Sequence, residues 1–556
     1  MQQRAPRLRA SRLTRVVAAA FLVGTLWPAT SSGETGYATS RPSMLVEANA
    51  ALGVEFVPLI NSGESPFGTT FRGIPDGIGV VPGPANSGWV DLYVAHEESH
   101  VPFGTTAATV FADHQDASVT RVRVEIATRR ILDTEVALPA SAGFVRFCSA
   151  FMAGPEHGFP HYTFLLNEES NDVLPVPAGA PYGSDRGTDP GWRQGGYAVY
   201  LDTRTGKFDE IAGAGRHNHE NTIVVPGGWK QIVTISGDDT FRAPSSQLYM
   251  YNALNWKQFQ KDAGTLWAFR VTATGQNPGD AIEGDDLLDP LNDANDYLDI
   301  VAGNNWRGEF IRVPDDIARG TTEDLPQTAL EDWSNDNNIF QFIRVEDTAY
   351  DPDNPRDIYI ADTGTNRLRE VDGRLTRRTS SSDVPHIESD GRIFKMTLNA
   401  ADPRKVDSFS IVAQGRLRET TTAGASPTTL LAGDGFRQPD NLDVGKNSLM
   451  LQEDPANTAK IWMHPMGTAI WTHIATVDQD VGPTLDEGES SGIVDVSRWF
   501  GPGWWALDVQ GHQNVVPGTL GPSLTWPTER SVIPGGQSYK RRLEEGQLLL
   551  MRVPGS

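Results

Sequence analysis

The stretch Glu346-Asp347-Thr348-Ala349-Tyr350-Asp351-Pro352-Asp353-Asn354-Pro355-Arg356-Asp357-Ile358-Tyr359-Ile360-Ala361-Asp362 carries the pattern on which the fold reading rests. An acidic pair opens it. Asp351-Pro352-Asp353-Asn354 is a turn, because Asp, Pro and Asn each favour tight backbone reversals. A β-like run over Ile358–Ile360 follows, and a second acid closes it. This is the signature of a β-hairpin. A hairpin reverses direction, so its acidic ends share one edge of the sheet and its turn lies at the other.

Five more copies surround it. The first leads from Asp76-Gly77-Ile78 to Val94-Ala95-His96-Glu97, and the second from Cys148 to Leu166-Asn167-Glu168-Glu169. The third runs from His219-Glu220 to Ile235-Ser236-Gly237-Asp238-Asp239. The fifth joins Pro439-Asp440-Asn441 to Gln452-Glu453-Asp454, and the sixth joins Glu489-Ser490-Ser491-Gly492 to Asp508-Val509-Gln510-Gly511-His512. Six hairpins in a chain with little helical periodicity predict an all-β fold, a six-bladed β-propeller with irregular loop insertions. The insertions are expected at Gly275–Asp299, Thr376–Asp383 and Arg418–Thr429, which are polar and turn-rich. Radial repetition would bring the acidic ends to one mouth of the central channel. Crowded carboxylates repel and call for cations, and their hard oxygens suit several Ca²⁺ ions.

The chain has 556 residues with 47 Lys and Arg against 71 Asp and Glu, a net charge of −24. That balance excludes nucleic acid as a main partner and disfavours an anionic membrane. Residues 1–33 hold five arginines and no acid, then an apolar stretch Val16–Trp27 and small residues. They read as a cleaved export signal, so a periplasmic or extracellular location is expected, with residues 34–556 forming one propeller domain. Without residues 1–33 the charge falls from −24 to −29. The single cysteine, Cys148, excludes an intrachain disulfide. No HExxH, GxSxG, P-loop or EF-hand pattern occurs.

The ordered motifs resemble those of the PhoX-type alkaline phosphatases. Ala95-His96-Glu97, Cys148 with Leu166-Asn167-Glu168-Glu169, Arg216 with His219-Glu220, Arg344-Val345-Glu346-Asp347, Pro439-Asp440-Asn441-Leu442 and Gly391-Arg392-Ile393 carry the likeness. The resemblance implies a Ca²⁺ and Fe³⁺ cluster in the propeller channel and hydrolysis of small phosphomonoesters by a monomer. Cys148 would be the iron thiolate, with Glu168, Glu220, Asp239, Glu346, Asp440 and Glu489 as carboxylate ligands. His96, Glu97, Glu169, His219, Asp238, Asn441 and Glu453 would be further ligands or their supports. The family's Gly-Gly after the cysteine is Ser149-Ala150 here, and the arginine expected before Gly391 is missing. Two other functions stay open: a calcium-binding propeller without catalysis, and a calcium-dependent lactonase-like hydrolase.

Overall fold

The computed structural model describes residues 36–97, 117–170, 173–175, 192–240, 246–274, 297–298, 300–321, 325–369, 375–378, 380, 382–454, 459–478, 487–512 and 545–556. Residues 1–33 and nearly all of the expected insertion at 275–299 lie outside the described residues.

Among the described residues, strand pairing can be followed as six antiparallel units of four strands, the fifth of them extended by Leu45–Glu47. Unit I comprises Pro75–Pro82, Trp89–His96, Ser118–Glu125 and Ile131–Leu138. Unit II comprises Phe147–Ala153, Thr163–Glu168, Ala198–Asp202 and Lys207–Ile211. Unit III comprises His219–Val224, Ile232–Asp238, Leu248–Ala253 and Thr265–Thr274. Unit IV comprises Val345–Asp351, Asn354–Asp362, Arg392–Leu398 and Lys405–Gln414. Unit V comprises Pro439–Val444, Ser448–Glu453, Lys460–Pro465 and Thr472–Val477. Unit VI comprises Glu487–Asp495, Trp504–His512 and Glu545–Arg552, completed by Glu55–Asn61 from the other end of the chain. The first strands of the six units touch in cyclic order, with unit VI returning to unit I. This is the β-propeller arrangement, sealed where Glu55–Asn61 pairs with Glu545–Arg552.

Each unit is buried on both faces, which explains why its second strand reads as an apolar run rather than a clean alternation. Leu92 and Val94 pack toward unit VI with Trp504 and Leu548, while Tyr93 and Ala95 pack toward unit II with Phe164 and Leu166. The period of two sends neighbouring side chains to opposite partners. Five rings, Phe269, Phe340, Phe342, Phe394 and Phe409, form the layer between units III and IV. There the strand Trp306–Arg312 pairs with both units and joins them into one nine-stranded sheet.

Two of the expected insertions carry strands of their own. Parts of 376–383 and 418–429 are not open loops. Leu375–Arg377, Asn366–Arg369, His386–Ser389, Leu417–Thr420 and Thr428–Leu431 pair into a separate five-stranded sheet. Polar composition hid these strands, because the outermost one, Thr428–Leu431, is largely exposed.

At the turn end of unit II, His157 Nδ1 accepts from the Gly154 N–H at 2.9 Å and Nε2 lies 2.9 Å from the Tyr350 hydroxyl. Burial pushes its pKa down to about 4, although the half-exposed Glu156 lies 3.9 Å away. The unfolded chain therefore binds this proton below pH ~6.5, while the folded chain resists it. Folding stability contributed by neutral His157 is expected to fall by up to about 3 kcal/mol between pH ~6.5 and pH ~4. Urea unfolding of His157→Gln across that window should show a shallower pH slope than the parent; an identical slope refutes the assignment.

Candidate metal centre

At the open end of every inner hairpin the ladder has the same irregularity. Pro75 pairs with His96 and then Ile78 with Val94; Phe147 pairs with Glu168 and then Ala150 with Leu166. The same step separates His219–Asp238 from Thr222–Ser236, and Val345–Asp362 from Thr348–Ile360. It recurs between Pro439–Glu453 and Leu442–Leu451, and between Ser491–Asp508 and Val494–Ala506. Each step advances three residues on the first strand against two on the second. One residue is extra, which is a β-bulge, a device that re-aims a side chain.

The residue after each bulge-opening pair is Asp76, Cys148, Glu220, Glu346, Asp440 and, in unit VI, Gly492. The first five come together. Donor atoms of Asp76, Glu97 and Cys148 lie within 4.8 Å of one another, as do those of Cys148, Glu169 and Glu220, and those of Glu220, Glu346 and Asp440. Cys148 Sγ lies 3.1 Å from Asp76 Oδ2 and 3.2 Å from Glu220 Oε1. Asp76 also accepts from Ser491 Oγ at 2.5 Å and Gln510 Nε2 at 2.9 Å.

Gly492 supplies no side chain and has φ +63°. A Cβ there would lie 2.5 Å from the Asp76 carbonyl oxygen. The strained conformation and the backbone clash together predict that Gly492→Ala costs about 1–3 kcal/mol in chemical unfolding. An unchanged unfolding midpoint would contradict that close approach.

The second strands divide their terminal acids by role. The residue opposite the bulge turns back into its own unit. Glu168 accepts from the N–H groups of Val145 at 2.8 Å and Tyr197 at 3.1 Å. Asp362 accepts from Ile343 N at 2.8 Å, and Glu453 from Arg437 N at 2.9 Å. The following residue joins the cluster: Glu97, Glu169, Asp239, Thr363 and Asp454. Glu168, expected as a ligand, and Glu453, expected as a further ligand or support, thus accept backbone N–H groups, while Glu169 and Asp454 lie among the clustered side chains. The reason is strand alternation, which sends consecutive side chains to opposite sides. Glu489 is half-buried beside Asp454 and Asp440, and Asn441 Oδ1 lies 2.6 Å from Ser491 Oγ.

The histidines sit behind this ring. His96 Nε2 meets Thr120 Oγ1 at 2.9 Å, and His219 bridges Ser236 Oγ at 2.8 Å and the Gly215 carbonyl at 3.0 Å. Burial holds both rings neutral, with pKa values pushed down to about 3. They brace the strands rather than supply protons at neutral pH. Asp238 is likewise buried, and burial with the nearby Glu331 and Asp239 raises its pKa.

Two arginines stand among the acids: Arg344, which the motif reading contains, and Arg146, which it does not. Arg146 Nε lies 2.9 Å from Glu97 and 3.4 Å from Glu169. Arg344 forks onto Asp239 at 2.9 and 3.0 Å, and reaches Glu346 at 2.7 Å and Asp454 at 3.4 Å. The acids still outnumber them. Burial first, then mutual repulsion, pushes Asp76, Glu220, Asp440 and Glu489 well above the usual carboxylate range, and burial does the same for Glu346. The Cys148 thiol is raised by the same causes. Glu220 Oε2 is buried with no hydrogen-bond partner among the described residues. Protein groups alone leave this cluster short of positive charge.

A family model described as "Alkaline phosphatase PhoX" matches residues 182–482, more than half of the chain. The chain belongs to the PhoX family. Glu220, Glu346 and Asp440 fall inside the matched PhoX range, whereas Asp76, Glu97, Cys148 and Glu489 fall outside it and reach the cluster through the fold. Among solved structures, Pseudomonas fluorescens PhoX in complex with vanadate, described as a transition state analogue, superposes with a TM-score of 0.55 at 14% identity. That match covers 94% of this chain and 98% of that PhoX chain, and it shows a shared fold. Far weaker likenesses link the chain to the polysaccharide lyase Uly1 (TM-score 0.31, 9% identity, 92% of this chain and 99% of that one) and the Streptococcus pneumoniae NanB sialidase (0.36, 7%, 89% and 70%). No curated protein matches the chain by sequence.

Proposed function

We propose that this chain is an exported, metal-dependent phosphomonoester hydrolase of the PhoX type. The observation that carries the reading is the chain of three overlapping ligand groups that share Cys148 and Glu220, flanked by Arg146 and Arg344. The residues fit multivalent cations: buried carboxylates repel one another, and Glu220 Oε2 has no partner among the described residues. Asp76, Glu97, Cys148, Glu169, Glu220, Glu346 and Asp440 would hold them, the thiolate suiting iron and the carboxylates calcium. Bound cations would polarise phosphoryl oxygens and offset the charge that develops on them.

The chain's own residues would do the rest. Arg146 and Arg344 present guanidinium N–H groups, whose fork geometry matches phosphate oxygens. Their carboxylate partners hold them in place before substrate arrives, so little ordering is left for the bound state. Gln510 and Ser491 fix the Asp76 carboxylate by hydrogen bonds to both oxygens. The lactonase-like alternative predicts indifference to Cys148, and the central place of its sulfur argues against that reading.

The test is hydrolysis of p-nitrophenyl phosphate by purified secreted protein, before and after chelation and after return of Ca²⁺, with elemental analysis of the native sample. Turnover that chelator abolishes supports the proposal. No turnover in metal-replete protein leaves the calcium-binding propeller, and lactone turnover retained in Cys148→Ser selects the lactonase.

A further inference from the structure

A helix bridges the open ends of units II and III. Pro326–Asp336 runs for 11 residues, with Pro326 at its first position, where the missing N–H would have no helical partner anyway. Gln327, Glu331 and Ser334 recur at intervals of four and three, so they share one face. All three are buried, at 2%, 5% and 0% exposure. Leu330, on the same side, belongs to the core layer that contains Tyr249, Leu266 and Val313.

Each polar side chain on that face meets a group near the channel mouth. Gln327 Nε2 donates to the Ser170 carbonyl at 2.6 Å and the Gly195 carbonyl at 3.0 Å, and the Gln327 N–H donates to Gln194 Oε1 at 3.1 Å. Gly196 leaves room for that amide, since a Cβ there would lie 2.3 Å from Gln327 Nε2. Glu331 Oε1 accepts from Thr240 Oγ1 at 2.9 Å, and Ser334 Oγ lies 3.0 Å from the Tyr249 hydroxyl. Two of the residues held this way have a particular place in the chain. Ser170 follows Glu169, and Thr240 follows Asp239. Glu169 shares a ligand group with Cys148 and Glu220, and Asp239 carries the Arg344 fork. On the other side, the Glu169 N–H donates to the Arg146 carbonyl at 3.1 Å and the Asp239 N–H to the Asn218 carbonyl at 3.0 Å. Each acid is therefore held twice, by the start of its own unit and by the helix.

We propose that Gln327 and Glu331 are positioning residues for this centre, Gln327 setting Glu169 for cation binding and Glu331 setting Asp239 and, through it, Arg344. The inference rests on the metal-dependent hydrolase reading above. A ligand carboxylate binds best when its backbone needs no ordering on binding. A loose Ser170 would let Glu169 swing away from the cation it shares with Cys148. A loose Thr240 would let Asp239 withdraw from the guanidinium that is to meet phosphate. The first contact therefore governs metal affinity and the second governs substrate affinity.

EDTA titration of the full-length, metal-loaded protein, with bound calcium and iron read by elemental analysis, tests the first, and p-nitrophenyl phosphate kinetics test the second. Gln327→Met keeps the volume and removes the amide. The EDTA concentration that strips half of its metal is expected to fall about tenfold, with kcat near parental once metal is returned. Thr240→Val exchanges the hydroxyl for a methyl. It is expected to hold metal as the parent does and to raise KM about fivefold, and Thr240→Ser is expected to restore the parental KM. If Gln327→Met does not fold, the Thr240 pair still decides. Parental metal retention in Gln327→Met, or a parental KM in Thr240→Val, overturns the proposal and leaves the metal centre standing. A parent that holds no metal overturns both.

Discussion

Replacing Glu220 with Gln is expected to abolish chelator-sensitive phosphatase turnover while making the metal-free protein more stable. Glu220 is the residue shared by two of the three ligand groups, one with Cys148 and Glu169 and one with Glu346 and Asp440. Losing its charge would weaken cation binding on both sides. A cation supplies several kcal/mol of transition-state stabilisation, so a loss of about three orders of magnitude in kcat/KM is expected. In the metal-free state the sign reverses. Glu220 is fully buried and repelled by Glu346, Glu169, Asp440 and Asp76. An amide of the same shape removes one repelling charge, and a gain of about 1–3 kcal/mol in chelator is expected. Thermal unfolding with and without EDTA, beside the p-nitrophenyl phosphate assay, measures both halves. A variant that is active, or that is destabilised in EDTA, would mean that Glu220 is a structural acid.

Removing Arg344 should produce the largest stability loss. Its guanidinium touches Asp239, Glu346 and Asp454, and little of the side chain is exposed. Arg344→Ala leaves three acids without their cation in a buried site, which costs about 3–5 kcal/mol in chelator. Saturating Ca²⁺ should recover part of that loss, because the freed carboxylates are cation ligands. Arg344→Lys separates folding from recognition. It keeps the charge but not the planar fork. Near-parental stability with KM raised about tenfold is expected, and an unchanged KM would show that Arg344 serves the scaffold alone.

Much of the architecture was legible in the chain. The turn Asp351-Pro352-Asp353-Asn354 and the run Ile358–Ile360 are local features, and the structure places them in the hairpin Val345–Asp351 and Asn354–Asp362. Likewise Val90–Val94 and Trp504–Val509 fall inside strands buried on both faces. Strand Thr428–Leu431 escaped notice because it is exposed and polar, so no apolar pattern marks it.

The candidate site was legible only as a set of neighbourhoods. Sequence spacing marked the acidic ends at Glu168-Glu169 and Glu453-Asp454, but spacing cannot say which acid of a pair faces the channel. The six-fold bulge decides that, since one extra residue on the first strand resets which side chain points inward. Arg146 escaped because no motif contains it, and Asp454 because its neighbour Glu453 drew the assignment.

By itself the sequence determined the repeat, the β class, the acidic excess and the six places where charge gathers, because turns, alternation and composition act over a few residues. The tertiary structure alone decided that Asp76, Cys148 and Glu220, each 72 positions from the next, share one cluster. It also decided that two arginines offset part of that charge. Ring closure brings distant strands side by side, and no local pattern encodes which side chains then meet.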